Sequence, residues 1–458
     1  MADRRERMLA IWRRTIALSW PIAIQQTLNT LMRTVDLVVT GLFSPAAIAA
    51  VGLADLYAHF PLRVGLSLGT GAIALSSQDT GRGAHASRDR AITQALLIGF
   101  LLGIPLVAVG LLGSSFLIDL LGAESEVVRL GGLYLMLVFA ASPMRITALV
   151  GARSLQGTGD TLTPMLINGA ANVINIALTV SLGLGLFGLP RLEIVGVGIA
   201  TAVARTFEAV VIVGAIASPL TDLGLARPRD ATITKQLLGI SAPTFAEGMS
   251  SSLAEFPFNS ITLLFGTEAN AAYHVGRRIY QQLGAPIYRS LSVASSVIVG
   301  QLLGEGKPDE ARFAGYSITA LGLVTLTAIA AVLFAVAEPV ATVFTDDPLT
   351  REIAVDFVRL FTVAIASFGV FSPIAGSLRG AGDTRTPFYA RISAAIVFLL
   401  GFSYVVGVVL GFGLFGVFAG LLLNYLWWSV VVTAGFVWGD WAERADALIA
   451  ERAAAADD

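Results

Sequence analysis

"SLQGTGDTLTP" (154–164) recurs as "SLRGAGDTRTP" (377–387), with eight of eleven letters shared and the copies 223 residues apart in a chain of 458. A polar, glycine-rich phrase written twice, half a protein apart, marks a duplication. The repeat extends outward from it. Ser19 and Pro21 pair with Ser241 and Pro243, "AAVG" (49–52) with "YHVG" (273–276), and "QDTGRG" (78–83) with "QLLGEG" (301–306). "GTGD" invites a reading as a phosphate or ion cradle, but its flanks favour a connector. The glycines suit a helix end that needs positive φ. Thr163 and Thr386 suit the N-cap of the next helix, with Pro164 and Pro387 as its first residue.

The setting of these phrases is apolar. The chain is 55% hydrophobic and 14% charged, with a mean hydropathy of +0.76, whereas a soluble domain carries about 25% charge. Apolar runs of about 20 residues, the length that spans a bilayer as a helix, recur throughout. Spans are expected near 16–43, 47–78, 91–112, 127–151, 162–185 and 194–217, then near 237–265, 269–301, 312–336, 352–376, 387–410 and 414–437. The basic start "MADRRERMLAIWRR" lacks a small-residue cleavage site and reads as a tail before the first span. The net charge of -2 argues against nucleic acid as a partner. With no cysteine and three scattered histidines (His59, His85, His274), no metal site is expected. No GxxxxGK[ST] loop is present, so ATP is not expected to drive this chain directly.

Basic residues set the expected orientation. Arg4, Arg5, Arg7, Arg13 and Arg14 fill the tail, and alternate loops carry Arg82, Arg88 and Arg90, then Arg227, Arg229 and Lys235, then Lys307 and Arg312, then Arg379 and Arg385. The intervening loops are poor in them. Both termini are therefore expected on the cytoplasmic side of the cell membrane. Each half holds six spans, so both halves enter from the same side as a parallel repeat about an axis along the membrane normal, an arrangement that leaves room for cargo between two bundles.

At this point the residues resemble a known family, the multidrug and toxic compound extrusion (MATE) transporters. The resemblance rests on the six-plus-six layout, on "VDLVVTGLFSPAAIAAVGLA" (35–54), on the glutamine-glycine phrase ending the second and eighth spans, and on the duplicated "GDT-TP" phrase. It covers essentially the whole chain and is nearest to the DinF-like prokaryotic branch. It implies export of organic cations or amphipathic drugs, coupled to protons or sodium. It also implies that Asp36 is the coupling carboxylate, and that Asn175 and Thr201 line its cavity. Where that branch carries an Asp four residues after the Asn, this chain has Thr179. The departure leaves Asp36 without a second carboxylate, and either Asp55 substitutes for it or sodium is held by mixed oxygens. The family's first helix is thought to bend, which makes Pro21 a hinge candidate.

The residues also speak for themselves. An ionised side chain at bilayer depth costs about 2.5–3.5 kcal/mol on insertion scales, so each one calls for a partner or a function. Arg33 and Asp36 lie three apart on the first span, and Asp55, His59 and Arg63 form a stripe on the second. Two readings of that stripe stay open: an internal salt-bridge ladder, or a proton relay through His59 to Asp36. Arg205 and Glu208 share a face of the sixth span. Asn168, Asn172 and Asn175 share a face of the fifth, which therefore looks inward. In the second half, Glu255 and Arg277 are candidates either to pair with one another or to bias a cavity toward anionic cargo.

The expected fold is an all-α membrane protein of twelve transmembrane helices in two six-helix bundles, 1–222 and 223–458. The expected function is an ion-coupled secondary transporter working by alternating access, not an enzyme. Its ion-coupling set is Asp36, Asn175, Thr201, Asn172, Thr179 and Asp55, and its substrate-binding set is Arg33, His59, Glu255 and Arg277. No cofactor is expected beyond H+ or Na+, and the partners are an amphipathic or cationic small molecule and membrane lipid, with the chain a monomer. The alternative is a lipid-linked saccharide flippase of the same superfold, with Arg33, Arg63, Arg277 and Arg278 holding pyrophosphate.

Overall fold

The computed structural model describes residues 2–229, 231–345 and 347–457. Met1, Asp230, Asp346 and Asp458 of the two expected halves lie outside the described residues. The described residues form helices and connectors, with no strand among them. The first half runs α1 (Ala2–Gly41), α2 (Pro45–Gly81), α3 (His85–Asp119), α4 (Ser125–Ala140), α5 (Ser142–Thr158), α6 (Leu162–Leu184) and α7 (Glu193–Ile216). The second runs α8 (Thr232–Leu263), α9 (Thr267–Leu283), α10 (Ala285–Gly304), α11 (Pro308–Ala335), the short α12 (Ala337–Thr342), α13 (Pro348–Gly380), α14 (Arg385–Ala394), α15 (Leu414–Trp438) and α16 (Trp441–Asp457). Helix α14 continues as π-helical turns over Ala395–Phe402 and Val405–Val409.

Every expected span has its helix. The fourth is α4 and α5, bent by 48° where Ser142-Pro143 opens α5; Pro143 has no N–H to continue the ladder. The eighth is α9 and α10, interrupted at Gly284 just ahead of Pro286. Among the described residues, eight helices are long and apolar enough to cross a membrane, and the bent α4–α5 pair makes nine. The helices outside that set, α1, α8 and α9 with α10, carry Arg33, Asp36, Glu247, Glu255 and Arg277. These charged side chains lower the hydropathy of α1 and α8, and α9 is 17 residues long.

The chain forms two compact units. One comprises residues 2–23, 77–82 and 242–451; the other comprises 24–76, 83–241 and 452–457. Two of the unit boundaries fall within α1, two residues after Pro21, and within α8 just before Pro243. In the first unit an apolar core gathers Phe258, Phe357, Phe361, Phe368, Val417 and Phe436 from α8, α13 and α15. In the second a core gathers Ala54, Ile118, Leu135, Val138, Ile194 and Val197 from α2, α3, α4 and α7.

The duplicated phrase is a connector, with one correction to its capping. Gly159 ends α5 at φ 102 and Gly382 follows α13 at φ 86, conformations that favour glycine. The caps are the aspartates, not the threonines. Asp160 Oδ1 accepts from the Thr163 N–H at 3.0 Å. Asp383 accepts from the Arg385 and Thr386 N–H groups, each at 3.2 Å. Helices α6 and α14 consequently start at Leu162 and Arg385, two residues ahead of the prolines. A carboxylate accepts more strongly than a hydroxyl, which is why the Asp wins. The inner glycines serve close packing: a Cβ on Gly380 would lie 2.3 Å from the Ser296 carbonyl oxygen, and one on Gly157 would lie 1.9 Å from the Ser76 hydroxyl.

Candidate functional site

In the unit that holds residues 24–76 and 83–241, the polar faces of α1, α6 and α7 meet. The Thr179 hydroxyl donates to Asp36 Oδ1 at 2.9 Å, joining α6 to α1. Thr179 is fully buried and Asp36 half-buried. One turn back on α6, Asn175 donates to the Thr201 hydroxyl at 3.4 Å. Its Oδ1 is buried with no hydrogen-bond partner, so an acceptor lies open on the face that Thr179 shares.

Further along α6 the polar stripe becomes a closed network. Asn172 donates to Asn29 Oδ1 on α1 and to Asn168 Oδ1, both at 3.1 Å. Asn168 donates to Glu208 Oε1 at 2.7 Å. Arg205 donates to Glu208 Oε2 at 2.5 Å and, at 3.5 Å, to Asn172 Oδ1. Asn168, Asn172 and Glu208 are buried. Amides, a carboxylate and a guanidinium thus satisfy one another where no water would, which is the condition for keeping them inside a membrane protein.

The expected set divides on this geometry. Asp36, Thr179, Asn172, Asn175 and Thr201 come together on three helices. Asp55 and His59 lie on exposed faces of α2, and His59 Nδ1 sits 2.5 Å from the Asp55 backbone carbonyl, a contact with its own helix rather than with the Asp55 carboxylate. Arg33 is exposed on α1, three residues before Asp36. Pro21 lies inside the unbroken α1, where its ring removes the N–H that would bond to the Ala17 carbonyl. In the other unit Arg277 and Glu255 form a two-pronged ion pair between α9 and α8, so these two candidates engage each other.

Asn29, Arg145 and the partners of Glu247, itself one of the charges expected inside the membrane, escaped the reading of the sequence. Asn29 sits seven residues before Asp36, two turns along the same helical face, a spacing that was there to be used. Arg145, at the start of α5, donates to the Ala58 carbonyl at 3.3 Å beside Pro61 of α2; it had no partner visible at helical spacing. In the second half Glu247 accepts from Arg379 at 2.9 and 3.0 Å and meets Arg391 Nε at 2.9 Å, tying α8, α13 and α14. A lone Arg391 in an apolar run was the signal. Around it stands an aromatic wall: Tyr280 stacks on Phe361 at 4.8 Å, Tyr288 on Phe368 at 4.4 Å, and Trp428 packs against Phe368, Phe371 and Tyr425.

Comparison with known proteins gives a consistent picture. A family model described as MatE matches residues 21–181 and 243–405. A probable multidrug resistance protein NorM of Rhodopseudomonas palustris is 29% identical over 454 residues, covering 96% of this chain and 94% of the relative. Another of that name, from Thermotoga maritima, is 25% identical over 447 residues, covering 96% of this chain and 95% of the relative. Among solved structures, one of MATE in the bent conformation superimposes with a TM-score of 0.87 at 22% identity over 99% of both chains. That likeness carries the fold.

Proposed function

The chain belongs to the MatE family of multidrug efflux transporters, and on that premise we propose that it is an ion-coupled secondary transporter exporting organic cations or amphipathic drugs by alternating access. Asp36 is the coupling carboxylate. The observation that carries this reading is the Asp36–Thr179 hydrogen bond at the end of the α6 polar stripe. It ties the charge state of one carboxylate to the packing of α1 on α6. When a proton neutralises Asp36, the hydroxyl loses an anionic acceptor and a charge-assisted bond becomes an ordinary one; a sodium ion would instead compete with the hydroxyl for the carboxylate oxygens. Asn175 Oδ1 stands ready as a further oxygen for the incoming cation. The remaining amides and the Arg205–Glu208 pair hold α6 and α7 in register while this happens.

Pro21 gives α1 a point at which one ladder bond is already missing, fifteen residues before Asp36. In this reading the 1–222 and 223–458 halves are the two moving bundles, both termini are cytoplasmic, and the chain acts as a monomer in the cell membrane. Arg33 and His59 meet substrate from the exposed faces of α1 and α2. The flippase reading is less well supported, since Arg277, one of the cations it needs, is engaged by Glu255.

The test is transport in everted vesicles. Cationic dye is expected to collapse an imposed proton or sodium gradient through the wild-type protein. Asp36→Asn is expected to abolish that exchange while the protein elutes and melts as wild type. Full exchange by this variant would remove Asp36 from the mechanism. Exchange of lipid-linked sugar but not of dye would favour the flippase.

A further inference from the structure

The Glu247–Arg379–Arg391 cluster is charged where its repeat counterpart is neutral. Glu247 follows Pro243 by four residues as Gln25 follows Pro21, and Arg379 and Arg391 lie 223 residues after Gln156 and Asn168. In the first half Gln156 donates to Gln25 across 3.4 Å, amide to amide. In the second half the same positions hold one carboxylate against two guanidiniums, a net charge of +1. The side chains are 5% exposed for Glu247, 17% for Arg379 and 23% for Arg391, so an unbalanced charge is held at depth yet stays reachable. Among the described residues, Glu247 is the carboxylate bonded to these two arginines.

The donors around it are under-used. Arg379 Nε and the Ser296 hydroxyl are shielded from solvent with no hydrogen-bond partner. Arg379 Nη1 reaches Ser292 Oγ at 3.5 Å, the far limit of a bond. Ser292 and Ser296 are one turn apart on α10, against Arg379 and Gly380 of α13. The Arg391 guanidinium carbon lies over aromatic rings, 4.4 Å from the Trp428 centroid and 5.2 Å from that of Phe371. That contact holds the guanidinium in place without using up its edge donors. A planar donor array with excess positive charge, beside an aromatic wall, fits an anionic group on an aromatic molecule.

We propose that Arg379, Arg391, Ser292 and Ser296 form a binding site for the anionic group, a carboxylate or sulfonate, of an aromatic amphiphile, with Glu247 occupying the arginines until that group arrives. Half-buried Trp428, at the edge of the aromatic wall, takes the ring of the ligand. The site rests on the reading of the chain as an exporter of amphipathic compounds and narrows it, because it selects anionic or zwitterionic cargo in the second half. Glu247 is its internal competitor: it balances one of the two buried charges when the site is empty.

The test uses two probes that share one ring, naphthalene-2-sulfonate and 2-naphthylmethylammonium, titrated calorimetrically into the purified full chain in nanodiscs. The sulfonate is expected to bind the wild type about tenfold more tightly than the ammonium, as charge-assisted bonds replace none. Glu247→Gln is expected to strengthen sulfonate binding. The triple variant Glu247→Gln, Arg379→Gln and Arg391→Gln, which makes the cluster neutral like its first-half counterpart, is expected to lose the preference. Arg391→Lys keeps the charge but not the planar guanidinium, and is expected to weaken sulfonate binding without touching ammonium binding. Equal affinity for both probes in the wild type, or a preference that survives both arginine variants, would overturn the site. Dye exchange in vesicles separates this outcome from the transport reading. Gradient-driven exchange without a sulfonate preference removes the site alone, and a preference without any exchange removes the transport reading alone.

Discussion

The two halves of this chain share a repeat and have spent it differently. In the first, α6 presents Asn168, Asn172, Asn175 and Thr179; at the matching positions the second half has Arg391, Ala395, Phe398 and Phe402. The first half built a hydrogen-bonded network around a carboxylate. The second built an aromatic wall with a small charged cluster at its edge. The backbone diverges with them. Helix α6 is regular, whereas its counterpart α14 passes into π-helical turns. The α4–α5 rod bends by 48° at Pro143, whereas its counterpart α13 runs unbroken with Ala366 at that position. A duplicated scaffold fixes helix order and connectors, and leaves the inward-facing side chains free to specialise.

This comparison can be broken at four places. The largest effect is expected at Glu247. Glu247→Ala leaves two guanidiniums facing each other at depth and is expected to cost about 3–5 kcal/mol of stability, as removing one side of a buried ion pair does. Gln25→Ala, at the matching position, is expected to cost about 1 kcal/mol, the worth of one neutral hydrogen bond. Thermal unfolding in detergent reads both, and equal losses would erase the distinction between the halves.

Next come the connector glycines. Gly380→Ala drives a Cβ into the Ser296 backbone, with its carbonyl oxygen at 2.3 Å and Cα at 3.0 Å, and is expected to cost about 1–3 kcal/mol as overpacking does. Gly157→Ala meets a serine hydroxyl that can turn away, and its unfolding midpoint is expected to fall less. A larger loss at Gly157 would show that the first half is the more tightly packed.

Thr179→Val should be milder still in stability, about 1 kcal/mol for one interhelical bond, yet it should lower gradient-driven dye exchange. Unchanged exchange would detach Thr179 from Asp36 in the mechanism. The smallest effect is expected at the helix caps. Asp347 accepts from the Thr350 N–H at 2.7 Å at the start of α13, while Glu124, its counterpart before α4, makes no such bond. The Thr350 hydroxyl and then its N–H hold the Asp347 carboxyl below its ordinary value of 3.8. The stabilisation is therefore present above that value and lost as pH falls through the lowered one. Asp347→Ala should lower the midpoint slightly at neutral pH, with the gap closing in acid, and Glu124→Ala should not move it.

Much of the site was legible because the membrane makes polar residues conspicuous. Asp36, the α6 asparagines and the Arg205–Glu208 pair stood out in apolar runs, and helical spacing put each set on one face. Asn29, two turns from Asp36, was equally accessible. The contact of Arg145 and the pairing of Glu247 with Arg379 and Arg391 were not, because the partners lie 87 residues or more away in the chain, on other helices, and periodicity along one helix carries no information about contacts between helices. The capping of the duplicated phrase went to the aspartate because, although both residue types are good caps, the carboxylate is the stronger acceptor.

The sequence by itself determined the helical fold, its twelve-span order and its duplication, because these follow from the length of apolar runs, the placement of breakers and the 223-residue offset. Tertiary structure decided which polar groups meet. It paired Arg277 with Glu255 and turned His59 onto its own helix. It joined Thr179 to Asp36 and set two arginines against one carboxylate in the second half. The reason is physical: a hydrogen bond inside a membrane protein depends on two side chains reaching within about 3 Å across a helix interface, and that distance is set by packing rather than by position in the chain.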